Sequence, residues 1–308
     1  MSAEMSVDWK TASVAPDPCI ICGSLAKQPL YPATYTGSIE EAVTYFLANR
    51  IATAHGPIVR CRDCGFVFTS PRFSNSEYDR IYREVRSPED PDPSLETAKA
   101  ARFQRLAEIV RKFQPRETPF LDFGCGDGGF LRQFNSPGGR GFEIGPEGRR
   151  MVERYEIVTG DWATVAGSRI FPSASFEFVV AFDVLEHLPR IGEDLALIRT
   201  VLRTGGHFFV SVPNSESFVA KAMGKHWNML LLEHLWYFSP KTLERMMVRY
   251  GFALLAIRSV PYDASIAHLA TRLAQAFGMT GTFEGGPISR LVLPIPAGIM
   301  LSVFCKSN

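Results

Sequence analysis

Four of the six cysteines form two pairs with the same spacing. Cys19 and Cys22 belong to one Cys-x-x-Cys-Gly motif, and Cys61 and Cys64 belong to a second motif, with 38 residues between the pairs. Two thiolates at this spacing can chelate one metal ion from a tight turn, and four thiolates suit tetrahedral Zn²⁺. Because four thiolates leave no open position for water, the expected role is structural. Disulfides or unrelated buried thiols are the alternatives, and a reducing compartment disfavours disulfides.

A glycine-rich segment at residues 121–130 (LDFGCGDGGF) follows a short apolar run and opens a helical pattern. Gly124, Gly126 and Gly129 satisfy G-x-G-x-x-G, a turn that lets backbone N–H groups approach an anionic part of a ligand. Asp122 would repel the pyrophosphate of a dinucleotide, but its carboxylate suits a cation. S-adenosylmethionine carries an ammonium and a sulfonium, so it fits this turn better than NAD.

Acidic residues also end the next two predicted strands. Glu143 is placed to accept hydrogen bonds from both ribose hydroxyls of a nucleoside. Asp161 could accept from an adenine amino group while Trp162 covers the ring. The alternatives are a surface acid at Glu143 and a helix N-cap at Asp161. The position of each acid just after a strand favours binding, since ligands of open α/β sheets bind at the carboxyl ends of the strands.

The elements that would position these groups alternate along the chain. The protein has 308 residues, of which 46% are hydrophobic and 21% charged, which indicates a globular fold with one large or two ordinary domains. Apolar runs without strict alternation predict an α/β fold with a parallel sheet covered on both faces. Residues 1–93 are predicted to form a small zinc-binding module and linker, and 94–308 a second domain. The predicted strands are 120–123, 140–143, 155–159, 176–182, 206–212, 253–259 and 299–305.

Charge argues against some partners. Lys and Arg total 33 against 32 for Asp and Glu, a net charge of +1, and residues 1–93 hold nine basic and twelve acidic side chains. A nucleic-acid partner is therefore disfavoured and a small-molecule partner expected. The N-terminus lacks a signal-peptide pattern, and prolines interrupt the apolar run at 291–304, so we expect a cytoplasmic protein without a membrane segment. The sequence does not indicate an oligomeric state.

Residues 121–212 resemble a class I S-adenosylmethionine-dependent methyltransferase. The Asp122–Gly128 turn, the acid at Glu143, and the runs FDVLEHL (182–188) and LRTGG (202–206) match the family pattern. The resemblance implies a Rossmann-like, seven-stranded methyltransferase sheet with its last strand antiparallel. It also implies S-adenosyl-L-methionine as methyl donor and adds Asp183 to the cofactor-binding residues.

The N-terminal cysteine motifs are similar to a subgroup with a zinc ribbon before the methyltransferase domain, which acts on sugars and other small metabolites in polysaccharide and natural-product pathways. In-line methyl transfer to a hydroxyl or a carbon acid requires a base. The subgroup carries a Glu-His pair after a tyrosine. Here the pair is Glu233-His234, and Leu231 stands at the tyrosine position. We expect His234 as the base and Glu233 as its orienting group.

Two other histidines are candidates for the base. His187 follows Glu186 after the fourth strand, where ubiquinone-type O-methyltransferases carry a similar pair, although it could instead be a pocket wall. His226, beside Trp227, could shape the pocket. For His234 itself, a structural role beside Trp236 is the alternative.

The expected function is methylation of a hydroxyl, or second a carbon, of a sugar or other small metabolite. An RNA methyltransferase with a zinc module and a non-catalytic cofactor-binding protein are the alternatives. The absence of an Asn/Asp-Pro-Pro-aromatic turn after the fourth strand disfavours N-methylation, and intact Asp122, Gly124, Gly126 and Glu143 disfavour a dead site. Residues 260–297 are expected to form an insertion near the acceptor, with a helical pattern at 264–277.

Overall fold

The computed structural model of the protein describes residues 17–46, 54–85, 93–115, 118–145, 157–160, 162–267, 269–270 and 291–307. The N-terminal part contributes three short strands and two helices. They are β1 (Lys27–Tyr31), α1 (Ile39–Ala42), β2 (Ile58–Cys61), β3 (Val67–Thr69) and α2 (Asn75–Glu84). Both helices begin at a serine, Ser38 or Ser74, whose side chain forms a reciprocal capping box with a glutamate three residues later.

The rest of the described chain alternates between strands and helices. In order, these are α3 (Pro93–Phe113), β4 (Phe120–Phe123), α4 (Gly129–Phe134), β5 (Gly139–Phe142), β6 (Ile157–Val158), α5 (Trp162–Val165), β7 (Phe176–Phe182), α6 (Ile191–Val201), β8 (Leu202–Pro213), α7 (Phe218–Met223), β9 (Trp236–Tyr237), α8 (Pro240–Arg249), β10 (Phe252–Ser265) and β11 (Val292–Lys306). One-turn 3₁₀ segments lie at Leu185–His187 and Gly224–His226.

Seven strands form the main sheet in the order β10-β11-β8-β7-β4-β5-β6. Strands β4 to β8 are parallel, and β11 runs antiparallel to both β8 and β10. This confirms the predicted Rossmann-like methyltransferase sheet. Phenylalanines fill its centre, and the rings of Phe120 and Phe178 on adjacent strands stack with centroids 4.8 Å apart. The carboxyl ends of β4, β5 and β7 therefore meet at one edge.

The N-terminal module is joined to this sheet by backbone pairing and ion pairing. Strand β9, from the predicted second domain, completes the module's four-stranded sheet by pairing antiparallel with β3. The indole N–H of Trp236 donates to the carbonyl of Leu188 over 2.8 Å. The Arg190 guanidinium donates hydrogen bonds of 3.0 and 2.6 Å to the two carboxylate oxygens of Asp79 on α2. The module is thus fixed against the segment that follows β7.

Both ends of the expected insertion at 260–297 belong to β-strands, the first to β10 and the second to β11. β10 and β11 stay paired from Tyr262↔Ile295 to Ser265↔Val292, so the two final strands are longer than predicted. Of the expected helical pattern at 264–277, residues 264–265 belong to β10, residues 266–267 and 269–270 are helical, and residues 268 and 271–277 lie outside the described residues. No helix within the described ranges is long and apolar enough to cross a membrane.

Candidate functional site

The glycine-rich turn links β4 to α4 in a backbone conformation that favours glycine. Gly124, Gly126 and Gly128 have φ angles of 75°, 54° and 76°. A Cβ on Gly124 would lie 2.5 Å from Cγ2 of Val184, in the segment after β7. The N–H of Gly124 donates to the carbonyl of Phe142 at the end of β5. The turn is therefore fixed between the ends of two neighbouring strands.

Asp122 carries a buried carboxyl group beside this turn. The residue is 3% exposed, and its Oδ2 is hidden from solvent and has no hydrogen-bond partner among the described residues. Burial raises the pKa of this carboxyl well above its usual value, and the negative charges of Glu143 and Asp127 raise it further. A buried acid without a partner is stabilised by a nearby cation, so the site fits the ammonium expected of the methyl donor.

Glu143 lies against the other side of the turn. Its Oε2 accepts a hydrogen bond of 2.8 Å from the N–H of Gly126, and its Oε1 accepts one of 2.6 Å from the N–H of Gly145. A carboxylate offers about four lone-pair positions, and it is the kind of acceptor that ribose hydroxyls require. The structure thus brings Asp122, Gly124, Gly126 and Glu143 together around one turn.

Trp162 is placed differently from the expectation of an indole lying over the cofactor. It is 5% exposed, and its ring packs against Phe123, Phe142 and Phe171 with centroids 4.9, 4.8 and 5.8 Å away. Because these three aromatic rings surround it, the indole of Trp162, which follows β6, is packed into the core. Its Nε1 is buried, and no residue within the described ranges forms a hydrogen bond with it. Asp161 lies outside the described residues.

Asp183 directly follows β7, and its backbone lies in the left-handed region, with φ of 57°. The hydroxyl of Ser211 donates to its Oδ1 over 2.9 Å, and Arg102 on α3 forms an ion pair with its Oδ2. Arg102 also lies over the ring of Tyr262, 5.4 Å from its centroid. A non-glycine residue in this conformation persists only when its surroundings hold it there, and such strain clusters at functional sites.

The two leading candidates for the catalytic base touch one another. The rings of His187 and His234 lie at 82° with centroids 4.7 Å apart. Donor atoms of these rings and of Glu186 lie within 4.8 Å of one another. The cluster follows Val184, which contacts the glycine turn, and the N–H of Leu235 donates to the carbonyl of Glu186.

The orienting groups in this cluster differ from the predicted pairing. The ring Nδ1 of His234 lies 2.8 Å from the carbonyl of Met229, which can only accept a hydrogen bond. In a neutral ring Nδ1 therefore carries the proton and Nε2 is free to accept one. The expected partner of His234, Glu233, places its Oε2 3.9 Å from Nδ1 of His187.

His234 is 5% exposed and the side chain of His187 is 21% exposed, and this enclosure disfavours the charged form of both rings. It lowers the pKa of His187 to about 4. It lowers the pKa of His234 to about 3, and the neighbouring His187 contributes to this shift. Since an imidazolium is poorly solvated in such a place, both rings hold an unprotonated nitrogen at neutral pH.

Glu186 is a third member of the cluster. It is 1% exposed, and in the part of the chain that the structure describes neither carboxylate oxygen has a hydrogen-bond partner. Burial raises its pKa well above the usual value, and Asp183 adds to this. The family run at 182–188 marked its position. No sequence motif marked Arg102 or Met229, because both residues lie outside the glycine-rich turn and the run at 182–188.

The four paired cysteines converge in the N-terminal module. Cys19 Sγ lies 3.4 Å from Cys64 Sγ, and Cys22 Sγ lies 3.6 Å from Cys61 Sγ. These distances are too long for disulfide bonds, which are about 2.05 Å, whereas a tetrahedral zinc site with bonds of about 2.3 Å separates its sulfur atoms by about 3.8 Å. The described residues thus offer four thiols in an arrangement that fits one metal ion.

Comparisons with known proteins agree with this fold. Residues 96–257 match the family model described as a methyltransferase domain. The ubiquinone biosynthesis O-methyltransferase of Cupriavidus pinatubonensis is 23% identical over 158 residues, covering 46% of this chain and 63% of that protein. The Burkholderia pseudomallei protein of the same name is 21% identical over 156 residues, with 46% and 67% covered.

Among solved structures, the Burkholderia thailandensis 1,6-didemethyltoxoflavin-N1-methyltransferase with bound 1,6-didemethyltoxoflavin and S-adenosylhomocysteine is 16% identical, with a TM-score of 0.46. That alignment covers 80% of this chain and 98% of the other. The family match itself spans more than half of the 308 residues and includes the glycine turn and β4 to β8. The chain therefore belongs to the methyltransferase-domain family.

Proposed function

We propose that this enzyme methylates a hydroxyl group of a small metabolite, a sugar or a phenol, with His234 as the general base. The observation that carries the proposal is the state of His234. Its ring is buried and neutral, its Nδ1 faces the Met229 carbonyl, and Nε2 is left to take a proton. A neutral imidazole within the cluster that follows Val184 suits proton removal from a hydroxyl.

The sequence relatives support an oxygen acceptor. Both reported relatives are named as O-methyltransferases of ubiquinone biosynthesis. This chain spans 63% of the length of the first of them, so their activity comes to this protein only as a proposal. The sugar alternative depends on the resemblance of the cysteine motifs to the zinc-ribbon subgroup.

In the proposed reaction, different residues bind the methyl donor and remove the proton. When bound, S-adenosylmethionine supplies an electrophilic methyl group. Asp122 would pair with the ammonium, and Glu143 would accept hydrogen bonds from the ribose. These contacts would position the bound donor, and alignment of the reactants is a large part of the rate enhancement in displacement reactions.

His234 would accept the acceptor's proton at Nε2. A hydroxyl becomes strongly acidic as its oxygen forms the bond to the methyl carbon, so a weakly basic imidazole is sufficient. The Met229 carbonyl would then stabilise the imidazolium through the Nδ1–H hydrogen bond. The negative charge of Asp183, which raises the pKa of His234, would also favour the protonated ring.

The thiol cluster is proposed to hold one structural Zn²⁺. The sulfur separations and the matching turns support this assignment, since Gly23 and Gly65 both have φ of 77° and donate to the carbonyls of Cys19 and Cys61. A metal in this position would join the turn that precedes β1 to the turn that follows β2. It would thereby stabilise a part of the chain that has few long helices or strands.

A methyl-gain screen tests the proposed reaction. Sugar nucleotides and phenols would be incubated with the enzyme and S-adenosylmethionine, and products carrying one added methyl group identified by mass spectrometry. His234→Ala should abolish turnover of the acceptor found while leaving S-adenosylmethionine affinity intact. His226→Ala is the control, because His226 is exposed in the Gly224–His226 turn. Full activity of His234→Ala would overturn the assignment of the base.

A further inference from the structure

Glu186, His187 and His234 bring together three side chains that can bind a metal ion. One carboxylate oxygen of Glu186 and one nitrogen of each ring lie within 4.8 Å of one another. Some point between three such atoms is within about 2.8 Å of all of them, and zinc bonds to these ligands are about 2.0–2.2 Å long. Side-chain shifts of about 0.7 Å therefore place all three atoms on one ion.

The carboxylate of Glu186 is the strongest sign that a cation belongs in this cluster. The residue is 1% exposed, and neither of its oxygens has a hydrogen-bond partner within the described ranges. Arg102, which acts on Glu186 through its charge, forms its ion pair with Asp183 instead. An unpartnered buried carboxylate is costly, and a bound metal ion removes that cost. An ion between the two rings would supply the partner.

Each histidine ring turns its other nitrogen towards an oxygen atom. Nδ1 of His234 lies 2.8 Å from the carbonyl of Met229. Nδ1 of His187 lies 3.9 Å from Oε2 of Glu233. Metal-binding histidines are usually oriented in this way, by a carbonyl or a carboxylate behind the ring. The nitrogen that is left for an ion is Nε2 on both rings.

Backbone contacts hold the segments that carry these ligands together. The N–H of Leu235 donates to the carbonyl of Glu186 over 2.8 Å. The hydroxyl of Thr69, on β3 of the N-terminal module, donates to the carbonyl of His234 over 3.1 Å. Ligands that are already held in place lose little conformational freedom when an ion binds. The N-terminal module thus helps to position one of the three ligands.

We propose that Glu186, His187 and His234 form a second metal site, which binds one divalent cation of intermediate softness such as Zn²⁺. Two imidazoles and one carboxylate suit zinc or iron(II), whereas Mg²⁺ and Ca²⁺ prefer oxygen ligands. Three protein ligands leave one position open, unlike the four thiolates of the N-terminal module. The ion competes with the acceptor's proton for Nε2 of His234, so it should inhibit methyl transfer. The inhibition, but not the site, rests on the proposed function.

The zinc content of the full chain tests the site without reference to turnover. After passage over a chelating resin, the wild type should keep about one zinc per chain, because a closed four-thiolate site holds zinc strongly. After equilibrium dialysis against micromolar Zn²⁺, it should hold about two. Glu186→Gln and His187→Ala should stay at about one, whereas His226→Ala, at an exposed histidine, should reach about two.

Either of two results would overturn the metal site. The first is a wild type that takes up no second zinc ion on dialysis, and the other is a Glu186→Gln variant that takes it up as the wild type does. Glu186→Gln keeps the size of the side chain, so its loss of the ion reports on the missing charge. Retention of the first zinc shows that the N-terminal module of each variant is intact.

Cobalt(II) reports which ligands hold the second ion. Added to protein that keeps its first zinc, Co²⁺ should give visible d–d absorption without the near-ultraviolet band of a cobalt thiolate. Glu186→Gln should weaken Co²⁺ binding by at least about 100-fold, since loss of even an outer partner of a ligand costs about 10- to 100-fold in affinity. Cobalt absorption that carries a thiolate band and is unchanged in Glu186→Gln would contradict the proposed ligands.

Inhibition is measured with the acceptor found in the methyl-gain screen. Zn²⁺ should inhibit the wild type and His226→Ala competitively with this acceptor, and a chelator that leaves the first zinc in place should restore turnover. The affinity for S-adenosylhomocysteine should stay within about twofold. Full turnover by protein that carries both ions would overturn the competition and the assignment of His234 as the base. Absence of the second ion would overturn only the metal site.

Discussion

Acidification should destabilise this enzyme through its two contacting histidines. Burial lowers the pKa of His187 from 6.5 to about 4 in the folded protein. As pH falls below 6.5 the unfolded chain binds a proton that the folded chain refuses, so stability is lost progressively until the folded pKa is reached. Between about pH 7.5 and pH 5 the loss from His187 alone is about 2 kcal/mol. His234, with a pKa of about 3, contributes a similar amount.

Urea unfolding of the wild type and His187→Asn, at both pH values, measures this effect. On acidification, the free energy of unfolding of the variant should fall by about 2 kcal/mol less than that of the wild type. The reason is that the variant lacks one of the two histidines that take up a proton only on unfolding. Other titrating groups are common to both proteins, so the difference reports on His187. His226→Asn, at an exposed position, should follow the wild type. If His187→Asn loses as much stability as the wild type, the ring is not kept neutral by burial.

Two further predictions concern the metal and the glycine turn. The purified protein should contain about one zinc per chain, and Cys22→Ser should lose it with a lower melting temperature, whereas Cys305→Ser should keep it; equal zinc content measured by mass spectrometry would contradict this. Gly124→Ala combines a φ of 75° with a Cβ 2.5 Å from Val184, while Gly205→Ala has φ of 74° and open space. In chemical denaturation, Gly124→Ala should lower the free energy of unfolding by about 1–3 kcal/mol more than Gly205→Ala does. Equal decreases would show that the protein accommodates a Cβ close to Val184 without losing stability.

The central strands could be predicted from the sequence because their apolar runs end at turn residues. The predicted bounds of 120–123 and 176–182 are those observed for β4 and β7. The long hairpin was missed because Pro294 and Pro296 argue against a strand. They are tolerated because β11 pairs with β8 only from Ile299 onward. Residues 292–295 pair with β10 alone, so both prolines lie in the part of β11 that forms an edge.

The candidate site was predictable in its motifs and not in its contacts. Glu143 and the glycine turn follow strands, and the rule for open α/β sheets brings them together. His187 and His234 are far apart in sequence, and only the pairing of β9 with the N-terminal sheet, together with the link between Leu235 and Glu186, makes their rings touch.

Calorimetric titration with S-adenosylhomocysteine tests the methyl-donor site most directly. The wild type should bind about one molecule per chain, and Glu143→Gln should weaken binding by about tenfold or more, because hydrogen bonds to a charged acceptor are worth about 1.5–3 kcal/mol. Glu177→Gln, on β7 and paired with Arg203 away from the turn, should bind as the wild type does. Absence of binding to the wild type, or equal affinity in Glu143→Gln, would contradict the placement of the methyl donor at the glycine turn.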